Sequence, residues 1–242
     1  GSSLADYYQG VLDRIKGSFE QASTGHTHGA LLALWRLLDL PQALMPDLMD
    51  VYRGPDGLAH RAIAQSSHRD RVIRAAVIAV LPKLASFPGD AEQRKRYFPA
   101  GFLNEFMQII LNACEAPVSS DSLHKEGFVA LGQIFAIVGT TARRVPGLMD
   151  DVMNVIERAL PVQSVATEAL ECFGMITKAS GVASGKYLAR FIDPIFRAGL
   201  SATLIETLRI VVKTQTPSQT TIQQRLLGTL DAFLRAFSGA DR

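Results

Sequence analysis

Arg69-Asp70-Arg71-Val72-Ile73-Arg74-Ala75-Ala76-Val77-Ile78-Ala79-Val80-Leu81-Pro82-Lys83-Leu84 is the stretch that decides the fold. Ile73, Ala76, Val77, Val80, Leu81 and Leu84 fall at the i, i+3, i+4, i+7, i+8, i+11 spacing that gathers apolar side chains on one side of an α-helix. Asp70 stands at the start, where an acidic side chain satisfies free N–H groups and opposes the helix dipole. The small Ala residues are expected to let neighbouring helices approach closely, and Pro82 to bend the helix.

The spacing recurs in Leu103, Phe106, Met107, Ile110, Leu111 and Cys114, after a break rich in Pro, Gly and charge. Two such helices predict an antiparallel hairpin, and the pattern returns at least three more times. Further helices are expected over Leu4–Glu20, His28–Leu38, Arg69–Ser86, Phe98–Cys114, Ser122–Val138 and Val145–Leu160. The series continues with Ser164–Ser180, Lys186–Ala198, Ala202–Gln215 and Ser218–Phe237. Met45–Gln65 is less regular, interrupted by Gly54-Pro55-Asp56-Gly57. No alternating β-branched run is bounded by turns, so the fold class is all-α.

The irregular repeat of about 40 to 50 residues excludes the tetratricopeptide and ankyrin periods and points to the HEAT and armadillo group. His68–Leu84 resembles the first helix of a HEAT repeat. The expected architecture is a HEAT-repeat α-solenoid, a right-handed superhelix of antiparallel hairpins with one continuous core. Gly1-Ser2-Ser3 reads as the remnant of an expression tag, and residues 4–242 as one segment of about five hairpins. Leu103, Phe106, Ile110, Phe128, Leu131, Phe135, Phe191, Ile195, Leu226, Leu230 and Phe233 are expected to be buried.

Composition narrows the functional classes. Nearly half of the 242 residues are apolar, a fifth are charged, and no run approaches the roughly 20 uncharged residues of a membrane span. A net charge of +2, with scattered cations, creates no field for DNA or anionic lipid. The two cysteines, Cys114 and Cys172, lie on apolar helix faces without CxxC spacing, as buried small hydrophobes of a reducing compartment do.

Catalytic signatures fail on inspection. Ser180-Gly181-Val182-Ala183-Ser184-Gly185-Lys186 approaches a phosphate loop, but Ser180 replaces the first glycine and Tyr187 the magnesium-binding hydroxyl, leaving a Gly-rich turn. His26 and His28 are two residues apart, on different faces of a helix start, with no third ligand. Asp150-Asp151 sits where helix-dipole compensation or solvation explains it. No catalytic residue, cofactor or metal is therefore expected.

Surface candidates remain. Arg94-Lys95-Arg96, in the turn before Tyr97-Phe98, could dock an acidic partner or a phosphate backbone, or form a solvated loop whose aromatics cover the hairpin end, and Arg143-Arg144 reads likewise, as a connecting turn first. Ile222, Leu226, Leu230, Phe233, Leu234 and Phe237 crowd the last helix with more apolar surface than one hairpin partner covers, which predicts weak self-association with Phe237 as a contact.

Six strings in order resemble landmarks of the N-terminal HEAT region of target of rapamycin (TOR) serine/threonine-protein kinases. They are His28–Leu34, Leu81–Phe87, Gly127–Gly139, Cys172–Ile176, Ile192–Ser201 and Ile222–Leu227, so that the resemblance runs from about His26 to about Leu234. The stretch Asp39–Gly57 is shorter than the insertion of some relatives, and Ala179–Val182 lacks a proline common there; both are inter-helix connections, where sequence drifts. The resemblance implies a non-catalytic piece of a large kinase whose catalytic, FRB and FAT regions lie elsewhere. It further implies an assembly arm in TOR complex 1 that holds a raptor-type subunit and contributes to the dimer in growth signalling, in the cytoplasm and at the vacuolar or lysosomal surface. A HEAT carrier such as a nuclear transport receptor is the alternative, although carriers of that kind are strongly acidic and this chain is slightly basic. An enzyme with a site assembled from distant residues is a third reading.

Overall fold

The computed structural model describes residues 2–21, 23–39, 51, 56–88, 92, 100–116, 121–139, 145–197, 199–215 and 219–239. Among them are eleven α-helices and no strand. The helices are α1 (Ser2–Glu20), α2 (Thr24–Leu37), α3 (Leu58–Ile63), α4 (Arg71–Ser86), α5 (Ala100–Cys114) and α6 (Asp121–Val138). After these come α7 (Leu148–Ala159), α8 (Ala166–Ser180), a 3-10 turn at Gly181–Ser184, α9 (Gly185–Arg197), α10 (Ala202–Thr214) and α11 (Gln219–Gly239). The chain divides into two compact units, 1–137 and 138–242.

Local chemistry sets the helix limits. Asp70 caps α4, its carboxylate accepting from the Val72 amide at 2.8 Å, and Ser201 caps α10 by accepting from Leu204 N at 3.0 Å. Each cap satisfies one of the amides that a helix start leaves without an intrahelical acceptor. Gly181 ends α8 at φ 57°, ψ −138°, a conformation that a side chain would forbid.

In the first unit, α1 packs on α2 and α3, α2 lies beside α4, and α4 also touches α3 and α5. The stripe on α4 is buried at Ile73, Val77, Val80, Leu81 and Leu84, and that on α5 at all six of its positions from Leu103 to Cys114. Ala76 departs from the stripe. It is only half-buried, as is Ala79, because the surface above these alanines is open. A further close approach is made at Gly127 on α6, which lies against Ala113 and Cys114 of α5.

In the second unit the helices form two layers. α8 and α10 lie side by side in one, while α9 contacts both α7 and α11 in the other. Phe173 on α8 and Phe191 on α9 join the layers as stacked rings with centroids 4.6 Å apart and planes 9° from parallel. Both rings are almost fully buried, and each such burial contributes about 1.5–3 kcal/mol.

The expected core holds at Leu103, Phe106, Ile110, Phe128, Leu131, Phe135, Phe191 and Ile195, all buried. It fails on α11. Leu226 is half-buried and Leu230 is 40% exposed, because within the described residues α11 is covered by α9 and α10 along one side only, where Ile222 is buried. The Phe233 side chain lies outside the described residues, as do residues 45–50 and 52–55 of the irregular stretch. Cys114 and Cys172 are buried thiols, and burial raises the Cys114 pKa well above the ordinary thiol range.

Candidate functional site

Three surface features can be built from residues upward. The first is an open trough of about 400 Å³ on the first unit. Its floor is α4, where Ala76, Ala79, Val80 and Lys83 follow one face at i, i+3, i+4, i+7. Leu31, Leu32 and Trp35 of α2 form one wall, and Glu126, Val129, Ala130 and Gln133 of α6 the other. The floor is low because two of its residues are alanines between walls of larger side chains. The rims are apolar and wet, with Leu32 50% and Val129 39% exposed.

Charge within the trough is uneven. Lys83 is neutralised by an ion pair with Asp39, and its ammonium sits 3.6 Å from the centroid of the Trp35 ring. Arg36 lies 4.8 Å from the same ring, so that cations hold the indole in place. Glu126 has no hydrogen bond or ion pair among the described residues, and burial raises its carboxyl above the ordinary glutamate range.

The second feature is a polar ladder on the second unit. Tyr187 of α9 donates to the Asp150 carboxylate of α7, and Lys186 reaches the same oxygen at 3.5 Å. Arg190 donates to Asn154 at 2.9 Å and pairs with Glu157, while Asp193 pairs with Arg225 of α11 at 2.6 Å. The Tyr187 hydrogen bond, with Lys186 beside it, holds the Asp150 carboxyl below its ordinary range, and Tyr187 and Asp150 in turn raise the Lys186 ammonium. These groups are mostly in water, where ion pairs fix register more than they add stability. Asp150 therefore does more than compensate a dipole. It ties α7 to α9, a long-range role invisible in the local sequence.

The turn before Lys186 is closed. Gln215 donates from Nε2 to Gly181 O at 2.8 Å and contacts Ser184 Oγ at 3.3 Å, while Ser184 donates back to Gly181 O at 2.8 Å. A Cβ at Gly185 would lie 2.7 Å from Gln215 Oε1, so the carboxamide fills the space that a phosphate would need. The Gly-rich segment is an inter-helix turn, as its sequence suggests.

The third feature is the outer face of α11, with Leu227 67% and Leu234 63% exposed. Phe237 lies on this helix, its side chain outside the described residues, and Arg94, Lys95, Arg96, Arg143 and Arg144 also fall outside them. His26 is exposed and His28 half-buried, and no group of three or more His, Cys, Asp or Glu side chains that could hold a metal exists among the described residues. Nor is any described helix long and apolar enough to cross a membrane. The trough escaped sequence reading, since it needs residues of three helices spread over about a hundred positions. The local signal was Ala76 inside an otherwise bulky stripe, with Ala79 one turn on.

Fold and surface together define an all-α helical solenoid whose described surface offers a trough, a ladder and an apolar face. No protein-family model matches the chain. It is similar to a segment of serine/threonine-protein kinases of the TOR family. The identity is 32% over 231 residues to serine/threonine-protein kinase TOR of Oryza sativa subsp. japonica, covering 94% of this chain and 9% of that protein. It is 28% over 231 residues to serine/threonine-protein kinase TOR of Arabidopsis thaliana, covering 94% and 8%, and 24% over 229 residues to serine/threonine-protein kinase tor1 of Schizosaccharomyces pombe, covering 93% and 9%. The chain thus spans less than a tenth of the length of these relatives, and nearly all of it takes part in the match.

Proposed function

We propose that this chain is a non-catalytic scaffold segment of a TOR-type protein serine/threonine kinase, drawn from the N-terminal HEAT-repeat region. The observation that carries the reading is the extent of the match, with the whole helical array aligned to a small part of a very large kinase. A segment of this kind contributes surface and spacing, while phosphoryl transfer belongs to another region of the parent. Residues 4–242 act as one segment in this reading, and the partner is the raptor-type subunit of TOR complex 1, with a contribution to dimer architecture. Growth signalling in the cytoplasm, at the vacuolar or lysosomal surface through the complex, follows from that assignment. A nuclear transport carrier is disfavoured by the net charge of +2.

Two measurements test it together. The purified chain should capture the raptor-type subunit in a pull-down, and charge reversal at Arg94, Lys95 and Arg96 should weaken capture if that basic turn is the contact. It should show no saturable ATP binding at micromolar concentration. Nucleotide binding that survives Lys186→Ala would overturn the non-catalytic assignment, and a folded chain that captures no raptor-type subunit would overturn the partner.

A further inference from the structure

We propose that the trough across α2, α4 and α6 is a docking site for an amphipathic helix of another protein, one with an apolar face bordered by a Lys or Arg that pairs with Glu126. The inference rests on the scaffold reading for the nature of its ligand, a polypeptide. The location and chemistry come from the first unit alone.

Shape is the first argument. From Ala76 to Lys83 the floor runs seven residue steps, about 10 Å or two helical turns. Its row follows the i, i+3/i+4, i+7 line of α4, and large residues of α2 and α6 stand on both sides. A floor lowered by two alanines between two ridges of larger side chains is a groove into which the side-chain ridge of another helix packs. The site is open along its top, so it could not enclose most of a small molecule, as a ligand pocket must.

Exposure is the second. Leu32 and Val129 are 50% and 39% exposed on opposite rims. An apolar knob lying between them would remove both from water, and Trp35, already fixed by Lys83, offers it a rigid wall.

Charge is the third argument and selects the ligand. The trough is lined by two ionisable groups, Lys83 and Glu126. Lys83 is spent on Asp39, whereas no described cation reaches Glu126, which lies on the α6 wall one turn from Val129. Closing an apolar surface over a carboxylate that no described cation reaches is costly, and that cost rejects acidic or uncharged helices. A Lys or Arg at the edge of the incoming helix offsets it.

Trp35 is the only tryptophan of the chain, so its emission reports on this wall alone. The probes are two synthetic amphipathic helical peptides without Trp or Tyr, sharing one Leu/Ala face, with Lys flanking the face in one and Glu in the other. The Lys peptide should shift Trp35 emission saturably and bind about tenfold more tightly than the Glu peptide. Glu126→Gln should erase that preference, and Ala79→Leu, which fills the half-exposed floor, should weaken both peptides while leaving the helical circular dichroism unchanged. The proposal is overturned if neither peptide moves the emission, if both bind equally, or if Glu126→Gln leaves the preference intact. It is equally overturned if emission changes with protein concentration in step with self-association, since a second copy would then occupy the trough. Capture of the raptor-type subunit is measured separately. Capture without peptide binding removes the trough proposal and spares the scaffold reading, and peptide binding without capture does the reverse.

Discussion

Gly127 on α6 faces the backbone of Cys114 on α5 so closely that a Cβ there would lie 2.9 Å from Cys114 Sγ and 3.0 Å from its amide nitrogen. Two helices of the first unit therefore meet here with no side chain contributed by α6. Glycine within a helix interior ordinarily costs about 0.5–1 kcal/mol relative to alanine, and here it is retained for space.

Gly127→Ala should consequently destabilise the chain by about 1–3 kcal/mol, despite the gain in helix propensity. Adding Cys114→Ala should recover only part of the loss, because the contact with the amide nitrogen remains. Urea unfolding of the single and double variants measures both values, and a gain in stability from Gly127→Ala would contradict the close approach.

Phe135 and Leu230 form a second contrast. Phe135 is fully buried and Leu230 is 40% exposed. Phe135→Ala should cost about 3–5 kcal/mol, and Leu230→Ala less than about 1 kcal/mol. A loss below about 1 kcal/mol for Phe135→Ala would break the register of α6.

Glu126 and Asp150 should give stability opposite dependences on pH. Burial keeps the Glu126 proton on to higher pH in the folded state than in the unfolded chain, so stability falls as pH rises above the ordinary value of 4.5. Asp150 has its pKa lowered, first by the Tyr187 hydrogen bond, so its contribution is present at neutral pH and is lost as pH falls through the acid range. Glu126→Gln should remove the first slope and Tyr187→Phe should flatten the second. Denaturation midpoints across the acid range, compared with the unaltered chain, read both.

Gln215 closes the turn before α9. Gln215→Ala should leave the Gly181 carbonyl and the buried Ser184 with fewer partners and cost about 1–3 kcal/mol. Amide exchange at Ser184 and Gly185 should accelerate with it. Unchanged exchange would show that the turn holds itself without the carboxamide.

The outer face of α11 should mediate weak self-association, with a second copy of the chain covering Leu227 and Leu234. Leu227→Glu with Leu234→Glu, or Phe237→Asp, should shift sedimentation at high concentration toward the monomer. An unchanged distribution would remove this face as the contact.

Much of the fold was legible in the sequence because helices are local. Apolar spacing placed α4 from Arg69 to Ser86 against an observed Arg71–Ser86, and the Asp70 cap and the Gly181 stop act within a few residues of themselves. The stripes of α5 and α6 likewise named the buried Phe106, Ile110, Phe128 and Phe135 correctly, since a narrow apolar face has one way to leave water. On α11 the same reasoning failed at Leu230, where exposure depends on what lies beside the helix. The candidate site was hardly legible at all. Ala76 and Ala79 also floor an open trough between α2 and α6, and Gly127 lies tight against α5, neither of which the spacing of α4 could show. Asp150 was legible as a helix-start acid, whereas its bond to Tyr187, thirty-seven positions on, was not. Periodicity states which side of a helix avoids water; only the packing of distant helices decides which part of that side meets a neighbour and which is left for a partner.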